Sequence, residues 1–280
     1  MGLAELFETS HYLWDFQSTE TSVMSEYFIP FGTIIAYMLF IFYGKNFFTY
    51  KTKNFDKLSY YWNWFLCIWS WIMHITAALP YWWRVYHIGF LPTITDDVYG
   101  IYVLNENTVT PRVLTAMYKF SVVNFVYSKF AELFDTVLLI MKKPDRQFMK
   151  MPLFLHWFHH VTVLVFTYYC LYFWFPPGQL FLLMNSTIHG FMYYYYAQMS
   201  IGIRPKWGKL LTIGQTTQMF LGIAIILIWA YKYVVLNEPQ ACIKPVFMAV
   251  YCTLMYGSYL YMFCQFFYMK YIKPKTQKKE

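Results

Sequence analysis

Three of the chain's seven histidines fall in the run Phe154-Leu155-His156-Trp157-Phe158-His159-His160-Val161-Thr162-Val163. Positions i, i+3 and i+4 share one helical face, so His156, His159 and His160 present their rings on a single turn. The flanking residues are apolar, and imidazoles buried without partners cost about 2 kcal/mol or more each. The arrangement therefore demands polar neighbours. Clustered imidazoles suit either metal ligation or nucleophilic and general acid–base chemistry.

Three further sets have spacing that puts polar groups on a helix face. Lys129, Glu132, Asp135 and Thr136 follow i, i+3, i+6, i+7; Asn185, His189, Met192, Tyr193 and Tyr196 form a second row; Thr212, Gln215 and Gln218 form a third. Glu132 and Asp135 are expected to orient an imidazole and hold its tautomer, with Asn185 in support. Their alternative is an internal charge cluster with Lys129 that ties helices together. Tyr193 and Tyr196 are otherwise packing aromatics, and Thr212, Gln215 and Gln218 interhelical hydrogen-bond glue. His74 stands alone in an apolar stretch and is read as packing, while His11 and His87 lie outside the spans.

These sets sit in a chain of 280 residues that is 59% hydrophobic, 24% aromatic and 13% charged. That is the composition of an all-α integral membrane protein rather than a soluble domain. A bilayer core of about 30 Å needs about 20 apolar residues in a helix. Seven stretches meet this: 27–43, 59–81, 114–140, 153–174, 180–199, 209–230 and 245–268. The third carries Lys119, Asn124, Lys129, Glu132 and Asp135, which makes it either a wall of a polar cavity or a segment partly outside the bilayer. Pro176-Pro177-Gly178 predicts a tight turn that makes the fourth and fifth spans antiparallel neighbours. The domain reading is a non-cytosolic segment 1–26, one membrane domain 27–268 and a basic tail 269–280. The net charge of +8 is dispersed in loops and argues against a nucleic-acid partner. Five cysteines without CxxC spacing suggest neither a disulfide framework nor a metal site.

Lysine and arginine concentrate in alternate loops: Lys45, Lys51, Lys53 and Lys57; Lys142, Lys143, Arg146 and Lys150; Arg204, Lys206 and Lys209; and the tail from Lys270. The positive-inside rule places these loops and the C-terminus in the cytosol and the N-terminus opposite. The acidic stretch Met1 to Tyr27 lacks the basic region of a cleaved signal peptide. With that orientation all four polar sets lie in the cytosolic half of the membrane, which points to one shared site. A seven-helix receptor or transporter gives no reason for that common depth, and no helix shows the broken symmetry of transporters. Membrane di-iron desaturases and hydroxylases resemble the histidine run locally, but use about eight or more histidines. Four clustered histidines are too few without extensive carboxylate ligation, so no metal is expected.

Lys129-x-x-Glu132-x-x-Asp135-Thr136, His156-x-x-His159-His160, Asn185-x3-His189-x2-Met192-Tyr193-x-Tyr195-Tyr196 and Thr212-x-x-Gln215-x-x-Gln218 resemble, in order, the four signature motifs of the fatty-acid elongase (ELO) family. Val161-Thr162-Val163 after the histidines is similar too. The resemblance implies a seven-helix fold with six helices forming a barrel around an acyl tunnel. It implies a very-long-chain 3-oxoacyl-CoA synthase of the endoplasmic reticulum membrane, condensing a fatty acyl-CoA with malonyl-CoA and releasing CoA and CO2. No bound cofactor is implied; malonyl-CoA is a co-substrate, and the other enzymes of the elongation cycle are possible partners.

On that reading His159 attacks the thioester and carries a transient acyl-imidazole, while His156, His160 and His189 polarise carbonyls or move protons. Cys170, about 15 Å along the helix from His160, is too distant to take the acyl group. Lys129 and the basic loops receive the CoA phosphates; Tyr193, Tyr196, Thr212, Gln215 and Gln218 contribute to substrate binding. Met151, five residues before His156, resembles the branch acting on saturated and monounsaturated chains. The tail Lys273-Pro274-Lys275-Thr276-Gln277-Lys278-Lys279-Glu280 is similar to, but departs from, a dilysine retrieval signal.

Overall fold

The computed structural model describes residues 22–44, 55–95, 111–142, 147–173, 175–236, 242 and 244–273. The loop residues Lys45, Lys51, Lys53, Lys143 and Arg146, the acidic N-terminal stretch, His11, Asp96, Asp97, Glu106 and the tail beyond Lys273 lie outside them. Among the described residues all regular structure is helical: α1 (Ser22–Tyr43), α2 (Phe55–Ile88), α3 (Phe90–Thr95), α4 (Arg112–Glu132), α5 (Phe134–Lys142), α6 (Leu153–Tyr172), α7 (Gly178–Ser200), α8 (Gly208–Val234) and α9 (Pro245–Phe267).

Helix ends follow local chemistry. Gly89, at φ +91°, stops α2 in a backbone conformation that side-chain-bearing residues avoid. At the end of α7, Gly202 (φ +85°) closes a Schellman motif in which its N–H reaches Met199 O and that of Ile203 reaches Gln198 O. Pro245 occupies the first turn of α9, where its missing N–H costs nothing.

Contacts run α2–α4–α6–α9–α8–α7 and back to α2, closing a six-helix ring, with α1 packed outside against α6. Polarity is inverted relative to a soluble protein. Ile35, Phe220 and Leu254 point outward, 60%, 62% and 69% exposed, while Lys129, Glu132 and His189 are buried. The protein is a multi-pass membrane protein. Phe55–Ile88, Gly208–Tyr233 and Pro245–Ile272 are long and apolar enough to cross a bilayer on length and composition alone, and Ile29–Tyr43 is a shorter apolar helix. In α4, α6 and α7 that apolarity is diluted by the residues that face inward.

Two expectations change. The predicted span 114–140 is not one helix: it breaks at Leu133, where the N–H groups of Leu133 and Thr136 turn to carbonyls three residues back, at 3.2 Å each. Asp135 lies beyond the break, on α5, and its carboxylate meets Trp62 and Tyr193 instead of the partners of Lys129 and Glu132. The turn at Pro176-Pro177-Gly178 does join α6 to α7, but α7 packs mainly on α2. There Cys67 donates to Gly190 O at 3.3 Å, and Thr187 and Ser186 hydroxyls approach His74 Nδ1 at 3.0 and 3.4 Å. From the turn α6 and α7 diverge, and the site occupies the space between them.

Candidate active site

A cavity of about 560 Å³ lies inside the ring. His156, His159, His160, Asn185 and His189 line it, together with Asp135, Tyr193, Tyr196, Gln215 and Gln218. Its outer rim includes Lys142, Pro152 and Ser200, at the helix ends that also carry the exposed Lys57, Lys150, Arg204, Lys206 and Lys270. The other half of the barrel has Arg84, Arg112, Lys119, Lys232 and Lys244 among the described cations, fewer and scattered. The cavity thus opens on the basic face.

The four imidazoles form a chain across it. Ring centroids are 4.5 Å apart for His156 and His160, 5.5 Å for His159 and His160, and 6.4 Å for His159 and His189. Among the described residues, His160 and His189 each keep a buried Nδ1 without a hydrogen bond. His156 Nε2 lies 2.8 Å from the Thr136 hydroxyl, which also meets Tyr37 OH at 2.7 Å. His159 differs from its neighbours: neither ring nitrogen has a hydrogen-bond partner among the described residues, and neither is sealed from the cavity. Its position is set from α9, where the Tyr259 ring lies 5.1 Å away and the Tyr259 hydroxyl donates to His159 O at 3.3 Å and contacts the Thr162 hydroxyl. Among the described residues, no three His, Cys, Asp or Glu side chains are grouped to hold a metal ion.

The acidic residues separate into two structures. Lys129 Nζ sits 2.7 Å from Glu132 Oε1 and 2.9 Å from Asn185 Oδ1, over the Phe125 ring at 4.6 Å. His189 Nδ1 approaches the same Glu132 oxygen at 3.4 Å. Glu132 is therefore next to an imidazole, as its spacing suggested. Asp135 is not: its carboxylate accepts from Trp62 Nε1 at 2.7 Å and Tyr193 OH at 3.0 Å. The break at Leu133 turns Asp135 toward α2, so it orients Tyr193 rather than a histidine.

Two binding expectations are corrected. Lys129 is 1% exposed and consumed by its internal partners, so it is not at the mouth where a CoA phosphate would enter. Thr212 is buried, donates to Gly208 O at 3.1 Å and is not on the cavity wall. Gln215 and Gln218 are on the wall, with Gln215 Nε2 3.5 Å from Met192 Sδ. The structure adds Asn63 to the wall, along with Lys142, which pairs with Asp56 at 3.0 Å. Asn63 was detectable as an amide in an apolar helix; Lys142 looked like any other loop cation. Tyr37, Trp62 and Tyr259, which hold the site from outside, carried no sequence signal.

A closed ring of membrane helices around a histidine-lined chamber that opens on one basic face defines a polytopic membrane protein with an internal polar cavity. The ELO: GNS1/SUR4 family model matches residues 22–279. The chain belongs to this family. It is 36% identical over 163 residues to very long chain fatty acid elongase 6 of Gallus gallus, covering 57% of each chain. To fatty acid elongase 2 of Trypanosoma brucei brucei it is 38% identical over 166 residues, covering 55% of this chain and 56% of that one. A longer match, 28% identical over 277 residues, covers 88% of this chain and 85% of fatty acid elongase 3 of Trypanosoma cruzi. In the first two matches the chain thus spans little more than half the relative's length. No solved structure matches the chain.

Proposed function

We propose that this protein condenses a long-chain fatty acyl-CoA with malonyl-CoA to give 3-ketoacyl-CoA, CoA and CO2, the first step of fatty acid chain elongation. The observation that carries this reading is His159, an imidazole with free nitrogens on the wall of a cavity that opens on the basic face. Family membership and relatives named fatty acid elongases support the class of reaction.

In the proposed sequence a His159 nitrogen attacks the thioester carbonyl. The C–S bond breaks, and the ring proton passes to the departing thiolate as CoA leaves. Malonyl-CoA loses CO2 to give an enolate, whose carbon attacks the acyl-imidazole. The new C–C bond forms as the C–N bond breaks, and the imidazole recovers a proton from the medium. His189 and His160 stand close enough to move protons, and the amides of Asn185, Gln215 and Gln218 offer donors to developing oxyanions. Lys142 replaces Lys129 in the role of receiving CoA phosphates at the rim. No bound cofactor enters this scheme. The apolar interior beyond the histidines would take the acyl chain, with saturated and monounsaturated chains as the proposed substrate class.

Under the same reading residues 27–268 are one membrane domain, with 1–26 lumenal and the tail 269–280 cytosolic. The membrane is that of the endoplasmic reticulum, where the remaining enzymes of the elongation cycle would take the product. Purified protein incubated with labelled malonyl-CoA and a panel of acyl-CoA lengths tests the reaction. Label in a 3-ketoacyl product with matching CO2 release is expected. Absence of product at every length, from protein that retains its helical content, would reject the proposal.

A further inference from the structure

The helix outside the ring contributes to the site through one side chain. On α1, Ile35 and Leu39 face outward, whereas Tyr37 turns inward and is 6% exposed, packed with Ile41, Ile140 and Phe148. Its hydroxyl has a single hydrogen-bond partner among the described residues, Thr136 Oγ1 at 2.7 Å. Thr136 is fully buried, and the same oxygen lies 2.8 Å from His156 Nε2.

Counting protons fixes the direction of this chain. A buried phenol whose O–H lacks an acceptor is disfavoured, and among the described residues the only acceptor bonded to Tyr37 is Thr136 Oγ1, so Tyr37 donates. Thr136 has one hydroxyl proton; with Tyr37 donating to it, that proton goes to its other partner, His156 Nε2. Nε2 is then the acceptor nitrogen, and a neutral His156 carries its proton on Nδ1. The opposite polarity, with His156 Nε2–H donating to Thr136 and Thr136 donating to Tyr37, would leave the phenol proton without an acceptor. We infer that Tyr37, from outside the six-helix ring, acts as a positioning residue that fixes His156 in the Nδ1–H tautomer through Thr136.

The consequence for chemistry rests on the condensation proposed above: with Nε2 occupied by the Thr136 hydroxyl, His156 is not available at that nitrogen as a base. Tyr37 lies outside the four polar motifs, and its helix neighbours give no hint of the role.

The test has two independent readouts on full-length protein in detergent micelles or nanodiscs. Solid-state 13C and 15N spectra of histidine-labelled protein, with His156 assigned by difference against His156→Asn, report the tautomer directly. The Nδ1–H form is expected in the unsubstituted protein and a mixture in Tyr37→Phe. In condensation assays Tyr37→Phe and Thr136→Val are expected to lose about 10- to 100-fold in kcat with KM nearly unchanged, as for other partners that orient a functional imidazole. Thr136→Ser, which keeps the hydroxyl, is expected to retain most of kcat. An Nε2–H tautomer in the unsubstituted protein would overturn the inference. So would Tyr37→Phe with an unaltered spectrum and unaltered kcat. If the unsubstituted protein condenses nothing, the proposed reaction fails while the tautomer measurement still decides this inference.

Discussion

The Lys129–Glu132 pair allows a quantitative prediction. Both side chains are inside the protein, 1% and 2% exposed, with Nζ and Oε1 2.7 Å apart. Among the described residues Glu132 Oε2 has no hydrogen-bond partner, and Oε1 accepts from Lys129 and, at 3.3 Å, from the Ser128 hydroxyl, so Lys129 is the carboxylate's charged partner at hydrogen-bond distance. Replacing Lys129 by Met leaves a charge buried without its counter-ion. Breaking a buried pair in this way costs about 3–5 kcal/mol, whereas removing both partners together is often close to neutral. Lys129→Met and Glu132→Gln are therefore each expected to destabilise the protein by about that amount, and the double variant by much less than their sum. His189, 3.4 Å from Glu132, offers the carboxylate a second counter-charge when protonated. Lys129→Met/His189→Phe is accordingly expected to be less stable than Lys129→Met alone. Reversible unfolding in mixed micelles, followed by circular dichroism, gives the free energies of the parent and the four variants. Single variants within about 1 kcal/mol of the parent, or a double variant equal to the sum of the singles, would refute the buried-pair reasoning.

Trp62→Phe removes the 2.7 Å donor to Asp135; a hydrogen bond to a charged group contributes about 1.5–3 kcal/mol, and the same unfolding assay checks the loss. Gly190→Ala would put a methyl 2.7 Å from the Trp71 ring, which is itself held between His74 and Phe191. A cost of about 1–3 kcal/mol is expected at this α2–α7 contact, read as a lowered midpoint of unfolding. Lys142→Ala removes a rim cation and is expected to raise KM for both CoA substrates by about tenfold with little change in kcat, a loss that shrinks in high salt. Equal KM values in low salt would count against a phosphate contact there.

Helix placement was largely readable because it depends on runs of apolar residues along the chain. The predicted 153–174 corresponds to Leu153–Tyr172, and Pro245 opens the last helix as expected. The convergence of the histidines with Asn185, His189, Gln215 and Gln218 was also readable, since spacing and common depth are local properties. The break at Leu133 was not: no proline or glycine marks it, and the different partners met on its two sides, His189 for Glu132 and Trp62 for Asp135, are set by packing between helices. Helical spacing alone therefore assigned Asp135 to the wrong neighbours. Periodicity likewise could not tell whether Lys129 lay at the mouth or deep inside. Tyr37 and Trp62 reach partners 99 and 73 residues away, and such pairings are set by packing between helices that no local pattern encodes.

The central claim is that His159 takes the acyl group, and acyl-CoA offered alone tests it most directly. Intact-protein mass spectrometry and a thiol assay on the same sample should show one acyl adduct per chain, mapped to His159, with a matching amount of free CoA; both should vanish in His159→Ala. A preparation that forms neither adduct nor CoA, yet condenses when malonyl-CoA is added, would contradict it.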